Sequence, residues 1–261
     1  MLGAALTTPA ALTGMALGQD GAAAAQDAPA AKEVLDQALK AMGGSEAFEK
    51  IKSRHMKMTI SGQQPAQQQQ VEAWSMGEDK MLIEMTVMGM NITMGRNGDI
   101  AWVNAPGQGT SQVPIEQAAQ NESLTQMHSI VQQLRKNYKK IETVGSTDAA
   151  GEEAWKIHVA DPKEEDPMQQ QSELFVYFNK KTHLPVMVEI PLPQGQGMAK
   201  QMFKDWKKVG DLKLFHTMEI QQGPMTQTLK IDQIEFNNVD EAKFAVPEEI
   251  KAQQPPAQPE G

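Results

Sequence analysis

QMFKDWKKVGDLKLFHTMEIQQGPMTQTLKIDQIEFN, residues 201–237, decides how this chain is read. Two turn signals divide it into three strands. Val209-Gly210-Asp211 and Gln222-Gly223-Pro224 each place glycine between apolar runs, which is hairpin chemistry. In the middle strand Leu212, Leu214, His216, Met218 and Ile220 fall on alternate positions, with Lys213, Thr217, Glu219 and Gln221 between them. Period two predicts a sheet with one apolar and one solvated face. In the third strand Leu229 and Ile231 share one parity, Ile234 and Phe236 the other. A bulge near Asp232-Gln233 would restore the register.

The pattern extends backwards through the chain. Met56, Met58 and Ile60 alternate with Lys57, Thr59 and Ser61, and Trp74 and Met76 mark a second strand. Met81, Ile83, Met85 and Val87 mark a third. Met88, Met90, Ile92 and Met94 mark a fourth, with Gly89 allowing the bend. Asn97-Gly98 is a two-residue hairpin turn. Residues 105–114, rich in Gly and Pro, read as a loop. From 116 to 136 the spacing of Leu124, Met127, Val131 and Leu134 predicts one long amphipathic helix inserted among strands. Strands resume at 139–144, 154–159, 174–178 and 186–190. Near the start, Val34, Leu35, Ala38, Leu39 and Met42 predict a helix over 32–42, closed by Gly43-Gly44. No βαβ alternation and no fixed repeat occurs. The expected fold is α+β and mainly antiparallel β: a strongly curved, half-closed open barrel of about 10–11 strands, with helices covering its concave apolar face.

Composition narrows the function. The 261 residues carry 33 Asp and Glu against 24 Lys and Arg, a formal charge of −9, which excludes a nucleic-acid partner read through a basic stripe. With no cysteine there is no disulfide, thiolate nucleophile or Cys-ligated zinc. Residues 1–17 are apolar, small and uncharged, and Ala22-Ala23-Ala24-Ala25 precedes Gln26-Asp27, a pattern a signal peptidase accepts. Residues 1–26 are therefore expected to be an export leader whose basic segment lies upstream of Met1. One domain is expected over 31–247. Residues 248–261, of low complexity, are expected to be a disordered tail.

Several motifs together resemble a known family. Phe48-x-x-Ile51-Lys52-Ser53-Arg54 enters the first strand after the Gly43-Gly44 helix end, and Asn97-Gly98-x-x-Ala101-Trp102 follows. Later come Phe178-Asn-Lys-Lys-Thr-His-Leu-Pro185, Lys207-Lys-Val-Gly-Asp-Leu212, and Lys230-Ile-Asp-Gln-Ile-Glu-Phe-Asn237 running to Phe244-x-x-Pro247. Over 31–247 the order is similar to that of LolA-like periplasmic proteins, the outer-membrane lipoprotein carrier and sorting family. The resemblance implies a half-barrel with a helical lid over a cavity for acyl chains, a periplasmic location, and membrane-associated donor and acceptor proteins. It also implies an arginine inside the cavity that gates opening. Arg54 and Arg96 are the strand-borne candidates, because Arg135 lies on the predicted helix.

The expected ligand wall is built from Met81, Ile83, Met85, Met88, Met90, Ile92 and Met94, with Trp102 beside them. Leu124 and Met127 supply the helix side, and Leu214, His216 and Met218 the far strands. Methionine suits guests of varying shape, being unbranched and polarizable. The same stripe also suits a filled core, which would make the protein an envelope sensor or protein-interaction module. No cofactor and no metal are expected: the five histidines form no HxH, HxxxH or HExxH pattern. There is no GxSxG, P-loop or GxGxxG followed by a helix, so a non-enzymatic, monomeric binder of lipid or lipoprotein acyl chains is expected.

Overall fold

A computed structural model describes residues 28–62, 68–163, 173–192 and 197–252. The expected leader, 1–26, lies outside the described residues. Six strands come first: β1 (Ser53–Ser61), β2 (Gln69–Met76), β3 (Lys80–Val87), β4 (Met90–Asn97), β5 (Ile100–Ala105) and β6 (Gly109–Val113). The next are β7 (Tyr138–Ala149), β8 (Glu152–Pro162), β9 (Glu173–Asn179), β10 (Pro185–Pro191) and β11 (Met198–Lys204). A short hairpin, β12 (Lys207–Val209) and β13 (Leu212–Leu214), precedes β14 (Thr217–Gln222) and β15 (Met225–Phe236). The helices are α1 (Ala31–Ala41), α2 (Ser45–Glu49), α3 (Ile115–Gln126), α4 (Ile130–Asn137) and α5 (Glu248–Lys251).

Thirteen strands form one antiparallel sheet in the order β6-β5-β4-β3-β2-β1-β15-β14-β11-β10-β9-β8-β7, curved but not closed. It consists of two meanders joined where β1 pairs with β15. The helices α3 and α4 carry the chain between the two outer strands, β6 and β7. The expected bulge is present: Lys57 faces Gln233 and Met58 faces Ile231, so Asp232 is the extra residue.

The opening stretch is not a simple meander. β11 pairs directly with β14, while β12 and β13 fold out as a separate hairpin between them. The cause is Phe215. It occupies a position expected to be wet, yet it is buried against Phe203, Trp206 and His128. The backbone turns there, and the His216 N–H donates to the carbonyls of Lys204 and Asp205. The hairpin leans on the end of α1. Gly43 takes φ 122° and Gly44 φ 86°, and their N–H groups donate to Lys40 and Leu39, a Schellman closure. A Cβ at position 43 would stand 2.5 Å from the Asp211 carbonyl oxygen.

Three further expectations are corrected. The segment 105–114 is not all loop, because Gly109–Val113 adds β6 at the sheet edge. The long helix is broken: α3 ends at Gln126, a 3-10 turn spans Met127–Ser129, and α4 begins at Ile130. The expected tail is ordered from Glu248 to Lys251. Asp240 caps a 3-10 turn at Glu241–Phe244, and in α5 Ile250 is fully buried. Residues 253–261 lie outside the described residues.

Candidate functional site: a lidded concave face

Residues directly opposite across antiparallel strands share a face. One such row on the concave side runs Arg54, Ser75, Met81, Arg96, Ala101 and Val113. The next runs Met56, Ala73, Ile83, Met94 and Val103, and a third Met58, Val71, Met85 and Ile92. Met56, Met58, Met81 and Ile83 are buried, while Met85 and Met94 are half-buried and pack against the same cluster. α3 lies across β2, β4 and β5, with Ala118 buried and Leu124 and Met127 half-buried. α1 and α4 cover β7. On that side Ile157, Val159, Val176 and Phe178 are fully buried under Val34, Leu35, Val131 and Leu134. The looser apolar layer therefore lies between α3 and β2–β5.

The expected wall is only partly assembled there. Met81, Ile83, Met85, Ile92 and Met94 share the concave face, facing Leu124 and Met127. Leu214 and Met218 are buried in the same cluster from the far side. His216 is half-buried at the β13–β14 corner, its Nδ1 3.1 Å from the Leu214 carbonyl. Two methionines do not join the concave face. Met88 sits on the β3–β4 turn with φ 51° and is 84% exposed, and Met90 is 48% exposed.

Trp102 lies on the opposite face altogether. The turn sets Gly95 against Trp102, whose indole fills the space that a Cβ at 95 would occupy. Trp74, Leu82 and Trp102 form a convex apolar patch, closed by Phe244 and Ile250 from the C-terminal strap. Lys243 caps it, 3.8 Å from the Trp74 ring centre and 3.2 Å from the Glu84 carboxylate.

The polar groups of the concave side sit where the lid breaks. From β1, Arg54 donates Nη1–H to the Thr125 carbonyl at 3.4 Å and Nη2–H to Ser129 Oγ at 3.3 Å. No carboxylate accepts from it among the described residues, and burial disfavours its charged form. His128, also on the break, is 4% exposed. Its Nε2–H donates to the Phe215 carbonyl at 3.0 Å, and its ring tilts against Phe215 at 4.5 Å. Burial first, then repulsion from Arg54 and His216, pushes its pKa down to about 4, opposed by the bond to Phe215. His128 is therefore a neutral imidazole at neutral pH. The second candidate, Arg96, is on the same row as Arg54, but its Nε–H donates to the Gly98 carbonyl at 3.0 Å. A sequence signal for His128 exists: it falls four residues after Leu124 and three before Val131, on the apolar stripe.

Five connections at one end of the half-barrel carry no charge. They are β1–β2, β3–β4, β5–β6, β10–β11 and β14–β15. Residues 61–70, 86–93, 105–113, 190–199 and 220–229, which span them, contain no Asp, Glu, Lys, Arg or His, whereas β8–β9 at the same end carries Asp161, Lys163, Glu164, Glu165 and Asp166 in its sequence. Met88 and Met225, 60% exposed, stand at two of the uncharged turns.

An open antiparallel half-barrel with a helical lid on its concave face defines the class. No protein-family model and no curated protein matches the sequence. Solved structures match the fold. A DUF1329 family protein from Desulfovibrio piger is similar at TM-score 0.59 and 13% identity, over 82% of this chain and 97% of that one. A LolA superfamily protein from Nitrosomonas europaea is similar at TM-score 0.56 and 11% identity, over 84% and 99%. A putative outer membrane lipoprotein-sorting protein domain from Vibrio parahaemolyticus is similar at 0.53 and 13%, over 82% and 97%. The chain has the LolA-like fold.

Proposed function

We propose that this protein is an exported, non-enzymatic carrier that holds a lipid or lipoprotein acyl chain between α3 and the concave face of β2–β5. The observation that carries the reading is the half-buried apolar layer made by Met85, Met94, Leu124 and Met127 under a helix whose far end is fastened by Arg54. Two long hydrogen bonds to neutral oxygens are a weak fastening, suited to opening and closing. The LolA-like fold supports the location and the ligand class, and the leader-like residues 1–26 support export. Membrane-associated donor and acceptor proteins would load and unload the chain. Arg54 takes the role of gating arginine that the resemblance implies.

Burial of methylenes drives the binding at about 0.8 kcal/mol each, so affinity rises with chain length by roughly fourfold per carbon. The test is mass spectrometry of lipid extracted from purified protein, together with binding of fluorescent fatty acids of graded length. Co-purifying lipid and a graded affinity support the carrier. No lipid and no binding refute it and leave a filled-core sensor or interaction module. A cysteine introduced at Gln126 and labelled with a fluorophore reports lid motion, since the chain has no native thiol.

A further inference from the structure

Residues 85–94 read MTVMGMNITM, in which Met85, Met88 and Met90 stand in the spacing M-x-x-M-x-M. The fold brings the three together. β3 and β4 pair as a hairpin in which Val87 faces Met90 and Met85 faces Ile92, so Met88 and Gly89 make its two-residue turn. Met85 and Met90 are thus diagonal neighbours across the ladder, about 7–8 Å apart, a gap that two long unbranched side chains can close. Met85 is half-buried, Met90 stands 48% exposed at the rim, and Met88 is 84% exposed on the turn between them. The turn residues take φ 51° and φ 79°, the left-handed pair that Asn-Gly or Gly-Gly ordinarily fills. Met88 is held there against its backbone preference, with its thioether in solvent. Packing does not account for this, because among the described residues neither Met88 nor Met90 belongs to an apolar cluster.

A thioether can also coordinate. Its sulfur is a soft, neutral donor, and soft donors select Cu(I) over the harder divalent ions. The histidine spacing that argues against zinc says nothing of sulfur from methionine. Among the described residues no group of three His, Cys, Asp or Glu could hold a metal ion, and residues 85–94 contain none of those four types. We infer that Met85, Met88 and Met90 form a three-sulfur site for a soft monovalent cation, Cu(I). Met85 fixes the inner corner of the site. Met88 and Met90, free of packing, swing onto the ion from the turn and the rim. The site does not rest on the acyl-chain reading and stands or falls without it.

The full protein, isotope-labelled at its methionine methyl groups, is titrated with Ag(I), a redox-inert stand-in for Cu(I), and followed by NMR. The Met85, Met88 and Met90 signals are expected to move together and to saturate at one ion per chain, while that of Met225, exposed at the β14–β15 turn, stays in place. Zinc(II) is expected to move none of the three. Cu(I) affinity is measured without oxygen by competition with bicinchoninate. Met88→Leu and Met90→Leu keep size and apolar character but remove the sulfur. Each is expected to weaken Cu(I) binding at least about tenfold, since even the loss of an indirect partner of a metal ligand costs that much. Met225→Leu is expected to bind as the wild type does. Unweakened binding by both Met88→Leu and Met90→Leu, or movement of Met225 along with the three, overturns the site and leaves scattered surface thioethers. Failure to saturate at one ion overturns it as well, and movement of the three with zinc overturns its selectivity. Should Met85→Leu fail to fold, the two exposed positions decide.

Discussion

Removing the ionisable ring of His128 tests the lid break directly. The substitution His128→Gln keeps a donor for the Phe215 carbonyl and abolishes titration. His128 is 4% exposed and its pKa falls from 6.5 to about 4 in the folded protein. A depressed pKa makes the unfolded chain bind the proton first. The contribution is therefore fully present above the unfolded value and is lost as pH falls towards the folded one. Between about pH 7.5 and about pH 4.5 this one group removes about 2.5 kcal/mol from the wild type. Urea unfolding of both proteins at both pH values gives the four stabilities. The wild type is expected to lose about 2.5 kcal/mol more than the variant over that interval, a difference in which the acids common to both cancel. Equal losses would refute the reasoning, because they would mean that His128 is hydrated or charged in the folded state.

Other outcomes follow from packing. Gly95→Ala drives a methyl group into the Trp102 indole and is expected to lower stability by about 1–3 kcal/mol, read by urea midpoint. Ile250→Ala removes a fully buried side chain from the convex patch and is expected to cost about 2–4 kcal/mol, whereas a dispensable tail would leave the melting temperature unchanged. Gly43→Ala strains a backbone at φ 122° and meets the Asp211 carbonyl, so it should destabilise more than Gly44→Ala, where a Cβ meets nothing within 4 Å.

The sheet was legible because its signals are local. Period-two alternation and glycine turns placed most hairpins, and a parity change in the last strand located the bulge at Asp232. What escaped was also parity. A two-residue hairpin pairs odd with even positions, so Met94 must face Val103 and Trp102 must face Gly95. The Asn97-Gly98 signal therefore already excluded Trp102 from the concave face. Phe215 carried a similar warning, as a large apolar side chain on the wet parity of its strand. β6 escaped because an edge strand with one partner buries little, and Gly109–Val113 offers no apolar alternation. Ile250 is one apolar residue in a polar, proline-rich segment, and only the tertiary patch of Trp74 and Trp102 reveals its use. Of the candidate site, the methionine rows were readable from spacing. The meeting of Arg54, Thr125 and Ser129 depends on residues 71 and 75 positions apart in sequence, and no local pattern encodes it.

The pairing of β1 with β15 bears on when the molecule can fold. Its central seam joins residues near 54 to residues near 236, so the final strand has to arrive before the first is flanked on both sides. Until then β1 keeps a bare hydrogen-bonding edge and the inner rows lack half their shelter. Contacts so distant in sequence slow closure, since the loop entropy is spent before the pairing returns anything. A partly synthesised chain cannot lock prematurely, and remains threadable until its last strand is available. Under the export proposed above, that delay would keep the chain competent for translocation.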